Sequence, residues 1–458
     1  MSDLIIIGAG PGGYVAAIRA SQLNKKVILI EEKEVGGVCL NSGCIPTKSL
    51  LHLVKVLEES KNLKNYGIEF SLNKIDIKKI REFKDRVILR LRKGIEFLLN
   101  KYNIELIKDK AVFESEKEVR LLKSNKKIKG EKFIIATGSK PFFIKNFKEN
   151  NEVIWTSEEA LNFEKIPEKL LIIGAGVIGL ELGTIYSSFG SKVIFVEITN
   201  QILPGVDLEI ANYLKNLLER KGFIFYLNSI LKEIDINKRK AKIETKEKGE
   251  IEVDFDNILL AVGRKPRSDE LNLNNLLLDN FGYIKTDKKM MTNISEIYAV
   301  GDIRKPPLLA HKAMYEGKKV IEIIFQDIEE EEVFIPNCIY TEPEIATIGM
   351  NEEEAKNKGL EITVSKIPLS VIGRSLTMGK SEGFGKIIYE KNKKEILGIH
   401  LIMPNASEII GEGSIFLNLK LNLEKIKNVI HPHPTLSEII EEIFLSVIKE
   451  AIHTLPYG

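Results

Sequence analysis

The run Leu4-Ile5-Ile6-Ile7 carries no polar interruption, which predicts a short strand buried on both faces. Gly8-Ala9-Gly10-Pro11-Gly12-Gly13 stops it, and a helical pattern then extends to about Leu23. A second apolar run, Val27-Ile28-Leu29-Ile30, ends on Glu31. The order is strand, glycine-rich turn, helix, strand, acid. It recurs from Leu170-Leu171-Ile172-Ile173 through Gly174-Ala175-Gly176-Val177-Ile178-Gly179, a helix to about Phe189, and Val193-Ile194-Phe195-Val196 ending on Glu197. Glu31 follows Gly8 by 23 residues, and Glu197 follows Gly174 by 23.

That repeated spacing has a physical reading. The first glycine makes the tight turn, the second admits a pyrophosphate close to the backbone, and the third lets helix pack on strand. The pyrophosphate meets the helix N-terminus, and the acid accepts a hydrogen bond from a ribose hydroxyl. Gly8, Gly10, Gly13 and Glu31 thus form one candidate dinucleotide site; Gly174, Gly176, Gly179 and Glu197 form a second. Glu197 would repel a 2′-phosphate, and Ile198–Pro204 holds no Arg or Lys, so the second site is expected to take NAD rather than NADP.

Three more apolar runs close on glycine: Ile134-Ile135-Ala136-Thr137-Gly138-Ser139, Leu259-Leu260-Ala261-Val262-Gly263-Arg264 and Ile297-Tyr298-Ala299-Val300-Gly301-Asp302. Backbone at such strand ends faces a ligand crevice. Asp302 is a candidate partner for a hydroxylated chain; an ordinary turn or N-cap aspartate is the alternative.

From about Ile335 the pattern becomes that of an α+β domain with an antiparallel sheet. Strands are expected near Ile345–Ile348, Ile362–Ile367, Phe384–Tyr389 and Ile396–Met403, with a helix around Glu408–Asn418. His431-Pro432-His433-Pro434-Thr435-Leu436-Ser437-Glu438 then precedes a last helix expected from Leu436 to about Ile452. His433 is a candidate general base with Glu438 as its orienter. Thr435-x-x-Glu438 is equally a capping box, with the prolines merely stopping the helix.

Composition narrows the classes. With 458 residues, 44% hydrophobic and 29% charged, the chain reads as a soluble globular protein of about three domains. Net charge is +2 and the lysines are scattered among glutamates, so nucleic acid is not indicated. No apolar run reaches the length of a membrane span, and no signal peptide is visible, so the expectation is a cytoplasmic protein. An Ala/Pro-rich tether for a lipoyl or biotinyl arm is absent.

Cys39 and Cys44 lie directly after the first glycine motif. In a regular helix their Cα atoms would be about 8.6 Å apart, beyond the roughly 7 Å a disulfide tolerates. A bridge therefore needs an irregular turn, and Asn41-Ser42-Gly43 has that chemistry. Pro46 suits the first turn of a following helix, which would put Cys44 near a helix N-terminus that favours thiolate. Two core cysteines or a static disulfide remain alternatives; with only Cys338 besides, a four-cysteine zinc site is excluded, and no metal is expected. Cys338 itself reads as a buried small side chain. A disulfide takes two electrons and a nicotinamide carries them as hydride. A flavin exchanges with both, so FAD on the first copy and NAD on the second is the economical assignment.

Over nearly its whole length the chain resembles the pyridine nucleotide–disulfide oxidoreductase family, in its lipoamide branch. The resemblance rests on Gly36-Gly37-Val38-Cys39-Leu40-Asn41-Ser42-Gly43-Cys44-Ile45-Pro46-Thr47-Lys48, Leu308-Leu309-Ala310-His311-Lys312-Ala313, Tyr340-Thr341-Glu342-Pro343-Glu344 and His433-Pro434-Thr435-Leu436-Ser437-Glu438. Ser42, Lys110-Ala111 and Asn405 depart from the usual pattern. The resemblance implies an α/β fold with two Rossmann-like dinucleotide-binding domains and a C-terminal α+β dimerisation domain. The boundaries implied are 1–145 and 266–334 for FAD, 146–265 for NAD and 335–458 for the homodimer interface. It implies a redox-active disulfide in which Cys39 meets substrate and Cys44 meets the flavin. His433 would be the base, acting across the dimer interface and oriented by Glu438. Lys48, Ala111, Thr137, Gly138, Asp302 and Ala310 join the FAD site. Glu181, a charge partner of Lys48, joins the NAD site with Ile230 and Gly263. The implied reaction is oxidation of protein-bound dihydrolipoyl groups, with a lipoylated acyltransferase or a glycine cleavage H-protein as partner. Alternatives are another NAD(P)H-dependent flavin disulfide or metal-ion reductase, or a non-catalytic flavoprotein subunit; a C-terminal cysteine pair for mercury is missing.

Overall fold

The structure, a computed structural model, describes residues 2–144 and 152–455. The chain forms two compact units: Met1–Ile166 with Leu260–Glu332, and Pro167–Leu259 with Val333–Gly458. The expected boundary between 145 and 146 lies outside the described residues.

The first unit is built on parallel strands in the spatial order Glu105–Lys108, Val27–Glu31, Ser2–Ile7, Lys127–Ile135, Ile297–Ala299. Ile6 pairs with Leu29 on one side and Ile134 on the other. The unbroken apolar run is explained by what covers each face. Leu4, Ile6, Leu29 and Ile134 pack with Ala16, Ala17 and Ala20 of the helix Pro11–Gln22. Ile5, Ile7, Phe133 and Ile135 pack on the other side with Phe113 and Val119, from two antiparallel strands, Ala111–Ser115 and Glu118–Leu121. Pro11–Gln22 also crosses the helix Ala310–Gln326 at glycine: a Cβ on Gly317 would lie 2.3 Å from the Gly12 carbonyl oxygen.

A buried ionic group braces the start of that second helix. The Arg304 guanidinium contacts Glu316 at 3.0 Å and Glu330 at 2.6 Å, Lys312 meets Glu316 at 2.9 Å, and Glu316 accepts the Gly301 N–H at 2.7 Å. Removing one member of such a group would leave buried charge uncompensated, at a cost of about 3–5 kcal/mol.

The second unit repeats the first architecture in smaller form. Its parallel strands run in the order Ile224–Tyr226, Lys192–Val196, Lys169–Ile173, followed by Asn257–Leu260. An antiparallel hairpin set follows, Ser229–Asp235, Lys240–Thr245 and Gly249–Asp254. Beyond residue 333 lies an antiparallel sheet in the order Asn337–Ile339, Glu344–Gly349, Glu395–Met403, Phe384–Glu390, Ile362–Pro368. The strands expected there all form, and the expected helix forms as Ala406–Asn418.

The last helix, Glu438–Val447, lays Ile439, Ile440, Ile443 and Phe444 on Ile387, Ile399, Leu401 and Met403 of the sheet. A Cβ on Gly385 would lie 2.9 Å from Ile439, so glycine sets how closely the helix approaches. The expected extent, Leu436 to Ile452, is too long at both ends. At the C-terminal end Lys449 adopts φ +62°, Glu450 N–H donates to Leu445 O at 2.8 Å and Lys449 N–H donates to Ser446 O at 3.2 Å. This is a Schellman closure with lysine in the place glycine usually takes, so its sequence signal is missing.

Candidate active site

Cys39 lies in the short helix Gly37–Ser42, and Cys44 is the first residue of the helix Cys44–Asn62. Asn41 and Ser42, expected in an irregular turn, remain helical. The break falls on Gly43 alone, at φ −144° and ψ −111°. A Cβ there would lie 3.0 Å from Val38 O and 3.4 Å from Cys39 Cα, so the bare backbone lets the two thiol-bearing residues approach. Asn41 is occupied elsewhere. Its amide donates to Gly37 O at 2.9 Å and Val35 O at 3.0 Å, and its carbonyl accepts from Arg92 at 2.7 Å. Arg92, on the helix Ile77–Lys101, thereby anchors the thiol-bearing turn.

The two cysteine side chains are hydrogen-bonded to each other as thiols. That bond pushes the Cys39 pKa well above its ordinary value; burial and negative charge on Cys44 push the same way, and Lys48 pulls it down. Cys44, as the first residue of its helix, sits where the helix N-terminus favours a thiolate. Lys48 stands one turn beyond Cys44 on the same helix.

The first glycine turn lies against this pair: a Cβ on Gly37 would fall 2.7 Å from Gly10 Cα. Gly8 has φ +100°, and a Cβ on Gly13 would collide with Gly8 O at 1.8 Å. Glu31 accepts from Ala9 N–H at 2.7 Å and Lys33 N–H at 2.8 Å, which fixes the acid beside the turn. Ala111 is buried at the start of its strand, and Ala310 opens the helix Ala310–Gln326. At neighbouring strand ends, the Thr137 hydroxyl is buried with no hydrogen-bond partner among the described residues, and none of them would meet a Cβ on Gly138, at φ +69°. Asp302 accepts from the Ser139 hydroxyl at 2.7 Å. A buried orphan hydroxyl and an oriented carboxylate beside a bare glycine turn fit a polyhydroxylated dinucleotide.

Sequence reasoning missed Arg264. Its Nε donates to Ser139 Oγ at 2.8 Å and its terminal nitrogen to Ser139 O at 2.8 Å, completing an Arg264–Ser139–Asp302 chain. Burial lowers its pKa, while negative charge on Asp302, Glu158 and Cys44 opposes that. The available signal was an arginine directly after a glycine at a buried strand end.

In the second unit the second glycine turn has the same local form. Gly174 has φ +100°, and Glu197 accepts from Ala175 N–H at 2.7 Å and Thr199 N–H at 2.9 Å. Gly179 is buried in the helix Val177–Ser188, and a Cβ on Gly176 would meet nothing within 4 Å. Glu181, buried in the same helix, accepts from Tyr340 N–H at 3.0 Å. Ile230 is exposed on its strand. Gly263, in the first unit, has φ +109° with open space about it. The open turn and fixed acid fit a second dinucleotide without a 2′-phosphate.

His433 and Glu438 meet as expected, Nδ1 to Oε1 at 2.7 Å. The other carboxylate oxygen accepts Thr435 N–H at 2.8 Å, one half of the capping box. The Thr435 hydroxyl donates to Pro432 O at 2.7 Å instead of completing the box. The His433–Pro434 peptide is cis.

Residues 2–317 match the family described as pyridine nucleotide-disulphide oxidoreductase, and residues 335–444 match the dimerisation domain of that family. A dihydrolipoyl dehydrogenase of Buchnera aphidicola is 40% identical, over 99% of this chain and 97% of its own length. One of Thermus scotoductus is 39% identical, over 99% of both chains. Among solved structures, the HOCl-induced flavoprotein disulfide reductase RclA of Escherichia coli superimposes with TM-score 0.86 at 25% identity, over 96% of this chain and 99% of its own. LpdA of Mycobacterium tuberculosis shares the fold, with TM-score 0.90 at 20% identity, over 98% of this chain and 100% of its own.

Proposed function

Because the chain belongs to the pyridine nucleotide–disulphide oxidoreductase family, we propose that it oxidises protein-bound dihydrolipoyl groups and reduces NAD⁺. FAD and NAD are its two dinucleotides. FAD is assigned to residues 1–145 and 266–334, NAD to 146–265 and the subunit interface to 335–458. Gly8, Gly10, Gly13, Glu31, Lys48, Ala111, Thr137, Gly138, Asp302 and Ala310 would hold FAD. Gly174, Gly176, Gly179, Glu181, Glu197, Ile230 and Gly263 would hold NAD.

In the oxidised protein Cys39 and Cys44 form a disulfide. Glu438 takes the Nδ1–H of His433, which leaves Nε2 as the proton acceptor. His433 removes the proton of one substrate thiol, and the thiolate attacks Cys39. A mixed disulfide forms and Cys44 leaves as thiolate. After His433 has released the first proton to solvent it takes that of the second substrate thiol; this thiolate displaces Cys39 and closes the lipoyl disulfide, and the departing Cys39 thiolate takes the proton from His433. Bound FAD would supply two-electron exchange between the reduced cysteine pair and NAD⁺. Lys48 provides positive charge where negative charge accumulates.

The matched dimerisation domain supports a homodimer, with His433 acting on the other subunit's cysteine pair. A lipoylated acyltransferase or H-protein is the partner this chemistry calls for, and the cytoplasm its compartment. No helix among the described residues is long and apolar enough to cross a membrane.

The Cys39–Cys44 pair, seated against the first glycine turn, carries this reading. The test compares dihydrolipoamide with NAD⁺ against oxidised glutathione with NADPH in steady state. The first pair is expected to dominate; dominance of the second overturns the proposal. His433→Gln should slow turnover by about 10²–10⁴, and near-normal turnover would reject His433 as base.

A further inference from the structure

The Schellman closure at Lys449 folds the C-terminal tail back along the last helix. It brings His453 to Glu442, Nδ1 to Oε1 at 2.7 Å, with His453 N–H donating to Oε2 at 3.4 Å. Glu442 is 4% exposed. It lies one turn beyond Glu438 on the same helix, which puts the two side chains on one face with Cβ atoms about 6 Å apart. Glu438 holds His433.

The charged groups around this helix pair off. His453 is faced by Glu442, Glu438 and Glu441. Glu438 is faced by His433, the Thr435 N–H and His453. His431, in the segment before the helix, bonds Glu412 of Ala406–Asn418 at 2.7 Å and faces Glu441 at 3.5 Å. Three imidazoles thus meet three carboxylates of one helix turn, with Glu412 opposite.

We propose that His453 is a positioning residue for the His433–Glu438 pair: by neutralising the buried Glu442 carboxylate, it keeps that charge from holding a proton on His433. The proposal rests on the reading of His433 as base. Without His453, Glu442 stands as a buried negative charge one turn from Glu438. It would favour protonated His433, so that the base becomes available only at higher pH. The bond to Glu442 and its charge raise the pKa of His453 against the effect of burial, which favours its cationic form. A unit charge about one helix turn away, acting through solvent, moves a neighbouring pKa by about half a pH unit.

The test is the pH profile of kcat/KM for dihydrolipoamide in the FAD-loaded enzyme. His453→Gln should move the acid limb up by about half a unit. Glu442→Gln should move it down by a similar amount. His453→Lys, which keeps the positive charge, should hold the wild-type limb. An unmoved limb in His453→Gln, or a His453→Lys limb displaced as far as that of His453→Gln, overturns the proposal. His433→Gln separates the two readings: near-normal turnover there removes the base, whereas lost turnover with an unmoved His453→Gln limb removes only the role of His453.

Discussion

The two dinucleotide turns differ little in themselves and much in what surrounds them. Both start from a glycine at φ +100°, and both lock a strand-end glutamate onto the second backbone N–H of the turn at 2.7 Å. Around the first, other backbone closes in. Gly37 lies against Gly10 and Gly317 against Gly12, so a Cβ on Gly37 or Gly317 would clash with the turn, while one on Gly10 itself would meet Gly37 Cα at 3.8 Å. Around the second, Gly176 faces open space. On the proposed assignment, the enclosed turn would retain FAD and the open one would let NAD exchange. The difference lies in the packing of elements distant in sequence, not in the motif.

Gly317→Ala attacks that difference most directly. Its Cβ would stand 2.3 Å from a backbone oxygen, which neither helix relieves without moving. The expected result is loss of flavin on gel filtration and a stability decrease of about 1–3 kcal/mol. Gly176→Ala should leave flavin content and the unfolding midpoint unchanged and raise only KM for NAD⁺. Flavin absorbance and thermal unfolding read both; equal behaviour of the two variants would dissolve the contrast.

The two acids offer a smaller, paired effect. Glu197→Gln weakens a charge-assisted bond to Ala175 N–H and should raise KM for NAD⁺ about tenfold, with kcat nearly kept. Glu31→Gln should instead weaken flavin retention, measured by the flavin released on dilution.

The smallest effect lies at the edge of the first sheet. Asp109 is buried and accepts hydrogen bonds from Lys110, Lys123 and Ser124. Burial alone would raise its carboxyl pKa, but the bonds from Lys123 and Ser124 outweigh it and hold the pKa below the ordinary value. A depressed carboxyl stabilises the fold above the unfolded pKa of about 3.9, and that contribution is lost as pH falls through the folded pKa. Asp109→Asn should cost about 1 kcal/mol at pH 7 and progressively less below pH 4, in urea unfolding followed at both pH values. A constant difference across that range would remove the ionic share.

Much of this was legible along the chain. Period, glycine and terminal acid located both turns, because a strand that ends at a phosphate needs those residue types in that order. Cys39 and Cys44 announced an irregular junction, but not that Gly43 alone would supply it: Asn41 looked like turn chemistry and serves as a strut to Arg92, 51 residues on. Arg264 passed unnoticed, since its role depends on Ser139 and Asp302 arriving beside it. The last helix stops short of the end its pattern predicts, because the stop uses lysine where a glycine would signal it.

The two dinucleotide folds, the thiol pair and the His433–Glu438 couple are local patterns along the chain, readable because their chemistry dictates spacing. Packing decides which glycine turn is enclosed, which cation Ser139 links to Asp302 and which histidine meets Glu442. The first two join residues far apart in the chain and the third depends on the closure at Lys449, and no local periodicity encodes a distance that packing alone sets.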